Sequence, residues 1–228
     1  MNDALAGLAR SGLLRAAINT GNRALVQERD GALHGVSPAL ARRLAEEVGV
    51  PLEPVVYSGA GRVFADAGTG AWDVAFMAID PARAERVAFT RPYHTIEATY
   101  AVRADSPLDD PDAADSPGVT ILTSTGSAYE LHLGKALRHA RLERTGTPAE
   151  SFEEFRAGRG DAVAGVRASL ERAFGDDPGY RVLSGALVRV EQAMALPAPD
   201  DPRIGALDAF VARKIESGFV AAQIGEGG

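Results

Sequence analysis

The chain of 228 residues has no cysteine, which excludes a disulfide scaffold, a thiolate metal site and thiol catalysis. A basic block is missing too: 24 Lys and Arg stand against 31 Asp and Glu, a net charge of -7. A general nucleic-acid binder must neutralise phosphates, and this balance repels them, so no nucleic-acid partner is expected. The longest apolar runs, such as Val74–Ile79, fit a strand and fall short of the roughly 18–20 residues of a spanning helix. No membrane insertion is expected either. The chain lacks a Gly-x-Ser-x-Gly elbow and a phosphate loop, and Gly59-Ala60-Gly61 lacks the third glycine of a dinucleotide fingerprint. The histidines His34, His94, His132 and His139 have no partner at metal spacing, so neither a metal nor a cofactor is expected. What is present is a chain 46% hydrophobic and 24% charged, the balance of a globular protein with one large domain or two small lobes.

The amino-terminal segment Met1-Asn2-Asp3-Ala4-Leu5 has an acid where a secretory leader carries positive charge, and no long apolar segment or cleavage site follows. As the sequence stands the expectation is a cytoplasmic protein; with a removed leader it becomes periplasmic or extracellular.

Along the chain, Leu13–Ile18 predicts a strand that ends in the loop Asn19–Asn22, and Asp30-Gly31 a turn. Ser37-Pro38 predicts the cap and first residue of a helix, with Leu40, Leu44 and Val48 four apart and Gly49 as the stop. Leu52–Tyr57 predicts a strand, Val63–Ala67 a weak helix and Trp72–Ile79 a strand buried on both faces. Asp80-Pro81 repeats the cap-plus-proline signature. Thr99–Arg103 and Val119–Leu122 read as strands flanking an acidic loop, and Gly126-Ser127 leads into a helix reaching about His139. Strand and helix alternate to Val190, and Ile204, Leu207, Phe210, Val211, Ile215, Phe219 and Val220 read as one apolar stripe on a last helix. Such alternation predicts an α/β protein with mainly parallel sheets, whose ligands sit outside the carboxyl ends of the strands. Four loops qualify: Asn19–Asn22, Tyr57–Gly61, Ala78–Arg83 and Ser124–Tyr129.

A recognisable pattern runs through those loops. Gly12-Leu13-Leu14-Arg15-Ala16-Ala17-Ile18 opens it, and Gly70-x-Trp72-Asp73-Val74-Ala75-Phe76 follows. Then come Asp80-Pro81-Ala82-Arg83-Ala84-Glu85-Arg86-Val87-Ala88-Phe89-Thr90-x-Pro92-Tyr93 and Gly126-Ser127-Ala128-Tyr129. The chain resembles the family-3 extracellular solute-binding proteins, the amino-acid receptors of ABC importers, and within them a leaderless subgroup with Ala78-Ile79-Asp80-Pro81-Ala82-Arg83. The resemblance implies a two-lobed periplasmic-binding-protein type II fold with a two-crossing hinge. Lobe one would be residues 1–92 and 192–228 and lobe two residues 93–191, crossing near Tyr93–Ala98 and Val190–Met194. A small carboxylate would lie in the interlobe cleft, ABC importer membrane subunits would be the partner, and the protein would be a monomer.

The resemblance also assigns residues. Arg83 stands seven positions before Thr90, where the family's arginine forks onto the ligand carboxylate; a guanidinium matches that group in plane and charge. The helix start at Gly126, Ser127, Ala128 and Tyr129 offers N–H groups to the same anion, or is simply capped by Ser127. Asn19 and Asn22 fall on the first ligand loop and also suit a turn. Tyr57 would stack on the ligand or pack in the core, and Ala78 ends the strand before Asp80, itself a helix cap. The family's amino-acid binders hold the ligand ammonium with a carboxylate where this chain reads Ala164-Gly165-Val166-Arg167. Glu97 is the acid left for that role, and Arg167 would be a second carboxylate contact or a surface residue; Glu130 suits the helix charge pattern, and Glu191 and Gln192 are weaker candidates. Two functions follow: a solute-binding protein for an amino-acid-like or organic acid, in transport or sensing, or a cofactor-free dehydratase or lyase with Glu97 or His94 carrying the proton.

Overall fold

The computed structural model describes residues 5, 7–9 and 12–225; most of the amino-terminal stretch behind the leader reading lies outside them. The chain divides into two units, one of Met1–Thr20, Ala24–Thr95 and Glu191–Gly228, the other of Gly21–Arg23 and Ile96–Val190. The long divisions fall at 95/96 and 190/191, where the sequence reading put 92/93 and 191/192.

In the first unit β1 (Leu14–Asn19) is central. A short hairpin follows, β2 (Gln27–Arg29) and β3 (Ala32–His34), then α1 (Val36–Val48) and β4 (Leu52–Tyr57). Next come α2 (Ala60–Ala65), β5 (Val74–Ala78), α3 (Pro81–Ala84) and β6 (Ala88–Phe89). β1 pairs in parallel with both β4 and β5. All five residues of β5 are buried, as a strand covered on both faces demands. At the amino ends of these strands the Arg15 guanidinium forks onto Asp73, at 3.1 and 2.8 Å, and fixes β1 to β5. Trp72, 1% exposed, packs on Ala17, Val63, Met77 and Val87, and its indole N–H donates to the Val63 carbonyl at 3.2 Å.

Three local expectations change. The Asp30-Gly31 turn joins two strands, with φ of 51° and 73° as a type I′ hairpin requires; Gln27–Arg29 carries no strong strand former to announce it. Ser37 does not cap α1. The helix starts two residues earlier, at Val36 behind Gly35, whose φ is 100° and where a Cβ would lie 2.5 Å from the Leu25 carbonyl oxygen. Ser37 is buried instead, with its hydroxyl 3.2 Å from that of Tyr93. At the carboxyl end the single stripe becomes two helices, α7 (Ile204–Glu216) and α8 (Phe219–Gly225), broken at Gly218, whose φ is 74°. Leu207, Phe210, Val211 and Val220 are buried, while Ile215 stays 38% exposed because the left-handed turn ends the stripe.

The second unit takes most of β7 (His94–Arg103), then β8 (Thr120–Ser124), α4 (Ala128–Ala136), β9 (Arg141–Thr145) and α5 (Pro148–Arg156). β10 (Ala162–Val166), α6 (Arg167–Phe174), β11 (Tyr180–Val182) and the start of β12 (Val188–Leu196) complete it. β8 pairs in parallel with β9 and β10, while β7 runs antiparallel to β10 and β11. The rest of β12 belongs to the first unit, antiparallel to β5 and β6. On one face Tyr100, Ile121, Tyr129 and Leu133 form a core; on the other, Phe152 and Phe155 meet Phe174 edge to face at 5.5 and 5.8 Å. α5 begins in a capping box, Thr147 and Glu150 bonding each other's backbone N–H, with Pro148 in the first turn. α4 ends at Ala136 and does not reach His139. The Asp115 carboxylate accepts the backbone N–H groups of Arg138, His139 and Ala140, at 2.9, 2.8 and 2.9 Å, and takes them out of the helix. Those bonds hold the Asp115 carboxyl below the usual carboxylate range.

Candidate functional site

In the first unit the parallel strands deliver the candidate residues to one end. Asn19 and Tyr57 are register partners at the carboxyl ends of β1 and β4, and Ala78 closes β5 opposite the buried Gln192. Glu191 is exposed on the other face of β12, since neighbouring residues alternate along a strand. One step beyond Ala78, the Asp80 carboxylate caps α3, accepting the N–H groups of Ala82 at 2.8 Å and Arg83 at 3.4 Å. The Arg83 side chain is 1% exposed and turns back to the strand that precedes it, donating from Nη1 to the Ala78 carbonyl at 2.9 Å. The short capped helix thus fixes a buried guanidinium at the strand ends, where a planar fork of donors can meet a carboxylate.

Tyr57 has a different environment. Its ring packs beside the Trp72 cluster, and its hydroxyl donates to Asp66 at 2.7 Å. Burial and that bond push the phenol up to about 12. The contacts favour the core over the ligand role, and Asp66, which no sequence motif marked, is what holds the hydroxyl. His94 opens β7 half-buried, and burial keeps its imidazole below the ordinary histidine range and neutral at pH 7.

In the second unit Ser127 is the cap of α4, its hydroxyl accepting the Glu130 N–H at 3.1 Å. The Ser127 N–H donates to the Ser124 carbonyl at 3.2 Å and the Gly126 N–H to the Glu130 carboxylate at 3.2 Å. Of the four residues proposed at this helix start, Ala128 and Tyr129 therefore supply the first-turn amides, which helix geometry leaves without an intrahelical acceptor. The Tyr129 ring itself is in the core, with its hydroxyl 2.6 Å from that of Ser124. Asn22, on the short segment Gly21–Arg23, has a buried Oδ1 with no hydrogen-bond partner.

Glu97 and Arg167, both weighed as ligand contacts, bind each other. One Glu97 oxygen accepts from Arg167 Nε at 3.1 Å, and the other from Arg189 at 3.1 and 3.0 Å. Arg167 also donates to the carbonyls of Leu183, Ser184 and Gly185 at 2.9, 2.9 and 3.0 Å. Two guanidinium groups hold the Glu97 carboxyl below the carboxylate range. An ionised, doubly paired carboxylate does not suit a proton carrier near neutral pH, and the Arg167 fork is spent on its own scaffold. Arg189, exposed and on a strand with no special motif, offered no sequence signal of its role. Among the described residues no three His, Asp or Glu gather as a metal site would, and no helix is long and apolar enough to cross a membrane.

Comparison with known proteins adds to this geometry. The family described as bacterial extracellular solute-binding proteins, family 3, matches residues 14–218. A glutamine-binding protein of Geobacillus stearothermophilus is 30% identical over 107 residues, 47% of this chain and 40% of that protein's own length. Among solved structures, a mutant of ArgBP from T. maritima superposes with a TM-score of 0.83 at 21% identity over 98% of each chain. An amino acid ABC transporter substrate-binding protein of Streptococcus pneumoniae, bound to L-arginine, gives 0.82 at 22% identity over 98% of this chain and 97% of that one. At those identities the structures show the fold, the type II periplasmic-binding-protein fold that the sequence pattern implies.

Proposed function

Because the chain belongs to the family-3 bacterial extracellular solute-binding proteins, we propose that it captures a small carboxylate, amino-acid-like or organic, for transport or sensing. The observation that carries the proposal is Arg83: a guanidinium 1% exposed, anchored to the Ala78 carbonyl and set by the Asp80 cap at the carboxyl end of β5. Desolvation strengthens an ion pair at such a place and makes a bidentate fit selective for a carboxylate. Asn19, at the carboxyl end of β1 in the same unit, adds a neutral polar contact. ABC importer membrane subunits are the partner that fits this role. The named relatives, which bind glutamine and arginine, support a ligand of amino-acid size.

A thermal-shift panel of amino acids, keto acids, hydroxy acids, diacids and aromatic acids tests the proposal. A ligand at 100 times its Kd adds about 2.7 kcal/mol, which raises the Tm by roughly 5–11 °C in a chain of this size. A panel with no stabilising compound would contradict carboxylate capture.

A further inference from the structure

Resting on that reading, we infer that Gln192 is a further ligand contact of the first unit: its side-chain amide donates to the carboxylate that Arg83 holds, so that a guanidinium and a neutral amide receive the ligand together. β12 is buried at every position from Gln192 to Leu196, and Gln192, 3% exposed, is the polar residue of that run. Its backbone carbonyl accepts the Tyr93 N–H at 2.8 Å, but among the described residues its side-chain amide forms no hydrogen bond. The register sets it beside the anchor of Arg83. The Ile79 N–H donates to the Glu191 carbonyl at 2.9 Å, which makes the next pair, Ala78 and Gln192, one without ladder bonds. Side chains of such a pair share a face, with Cα atoms about 4.5 Å apart. The Ala78 carbonyl is the group that accepts from Arg83 Nη1 at 2.9 Å. The amide therefore starts one strand away from the residue that fixes the guanidinium, at the same end of the sheet.

The face that carries Gln192 gives the amide nothing to do. Ala195 belongs to the Trp72 cluster, so Gln192 and Met194 stand on the opposite face of β12, across from Ala78 and Phe76. Phe76 meets Tyr93 edge to face with ring centres 6.2 Å apart, and the Tyr93 hydroxyl is paired with that of Ser37 at 3.2 Å. Those neighbours are apolar or already matched. A buried amide without a partner is costly, and a leucine would fill the same space without that cost. The cost is removed when a ligand accepts from Nε2. A carboxylate has acceptor sites beyond the two that a guanidinium fork fills, so one ligand group can satisfy both side chains.

Isothermal titration of the whole protein with glutamine, arginine, lactate, pyruvate, succinate and benzoate selects the tightest binder, which is then titrated into Gln192→Leu and Gln192→Glu. Gln192→Leu is expected to bind at least about fivefold more weakly, the scale of one hydrogen bond to a charged group. Without ligand, the same variant should unfold at the parent's denaturant midpoint or above it, because an unbonded amide gives way to an apolar group of similar size. Gln192→Glu sets a like charge beside the ligand carboxylate. Its affinity should fall at least about tenfold at neutral pH and recover toward the parent's near about pH 5, as the new carboxyl takes up a proton and again donates. Parent-like affinity in Gln192→Leu, a lower midpoint of that variant without ligand, or a loss in Gln192→Glu that does not respond to pH would each overturn the inference and leave carboxylate capture standing. Binding of none of the six compounds by the parent would overturn both.

Discussion

Arg83 in the first unit and Arg167 in the second invite comparison, since both were candidates for a ligand carboxylate. Arg167 sits at the start of α6, and its donors go to Glu97 and to three successive carbonyls, Leu183, Ser184 and Gly185. Thr99 bonds two of the same carbonyls, so this arginine belongs to the framework that holds the loop before β12. Arg83 is more deeply buried, on a helix of four residues whose orientation Asp80 sets. An arginine of the framework is recognised by how fully its fork is matched within its own unit. Arg83 is distinguished instead by its rigid placement at the strand ends.

That contrast can be pressed in several ways. The largest effect is expected from Arg167→Ala, which strands the Glu97 pairing and three carbonyls at once. Denaturant unfolding should register a clear loss of stability, because the three carbonyls and Glu97 lose their shared donor. Titration of the same variant with its ligand should show an affinity close to that of the parent. A stable variant with lost binding would instead place Arg167 among the ligand contacts. Tyr57→Phe is expected to cost about 1 kcal/mol, the worth of its bond to Asp66. The pH dependence has a definite sign. The folded phenol titrates at about 12, above its unfolded value near 10, so the contribution is complete below pH 10 and is lost as pH rises toward 12. Unfolding measured across that window should fall less steeply in Tyr57→Phe. Some decline remains, because burial also raises Tyr93, Tyr100 and Tyr129. A parallel loss of ligand affinity would return Tyr57 to the binding site.

The sequence made visible those features that depend on neighbours along the chain. The Asp80-Pro81 cap, the all-apolar run of β5, the glycine stop after α1 and the capped start of α4 are local patterns, and each is present. Features fixed by distant partners were not visible. Ser37 looked like a cap because Ser-Pro is a strong local signal, yet Gly35 is required by the close approach of the Leu25 carbonyl, and Ser37 turns to Tyr93. α4 loses its last turn to Asp115, which lies before β8. The fates of Glu97 and Arg167 are the same lesson at the candidate site. Nothing in either residue's surroundings along the chain shows that they meet, or that Arg189 completes the cluster. The placement of Arg83 was legible because its cap, its helix and the strand before it lie within a few residues of one another.

The central claim is that the Arg83 fork receives the ligand carboxylate, and isothermal titration of Arg83→Lys and Arg83→Ala with the best ligand of the panel tests it most directly. Circular dichroism and unfolding of each variant would run alongside. The account predicts a folded Arg83→Lys with affinity reduced at least about tenfold, since lysine keeps the charge and loses the bidentate geometry, and a larger loss in Arg83→Ala. Folded variants that bind as tightly as the parent would contradict it.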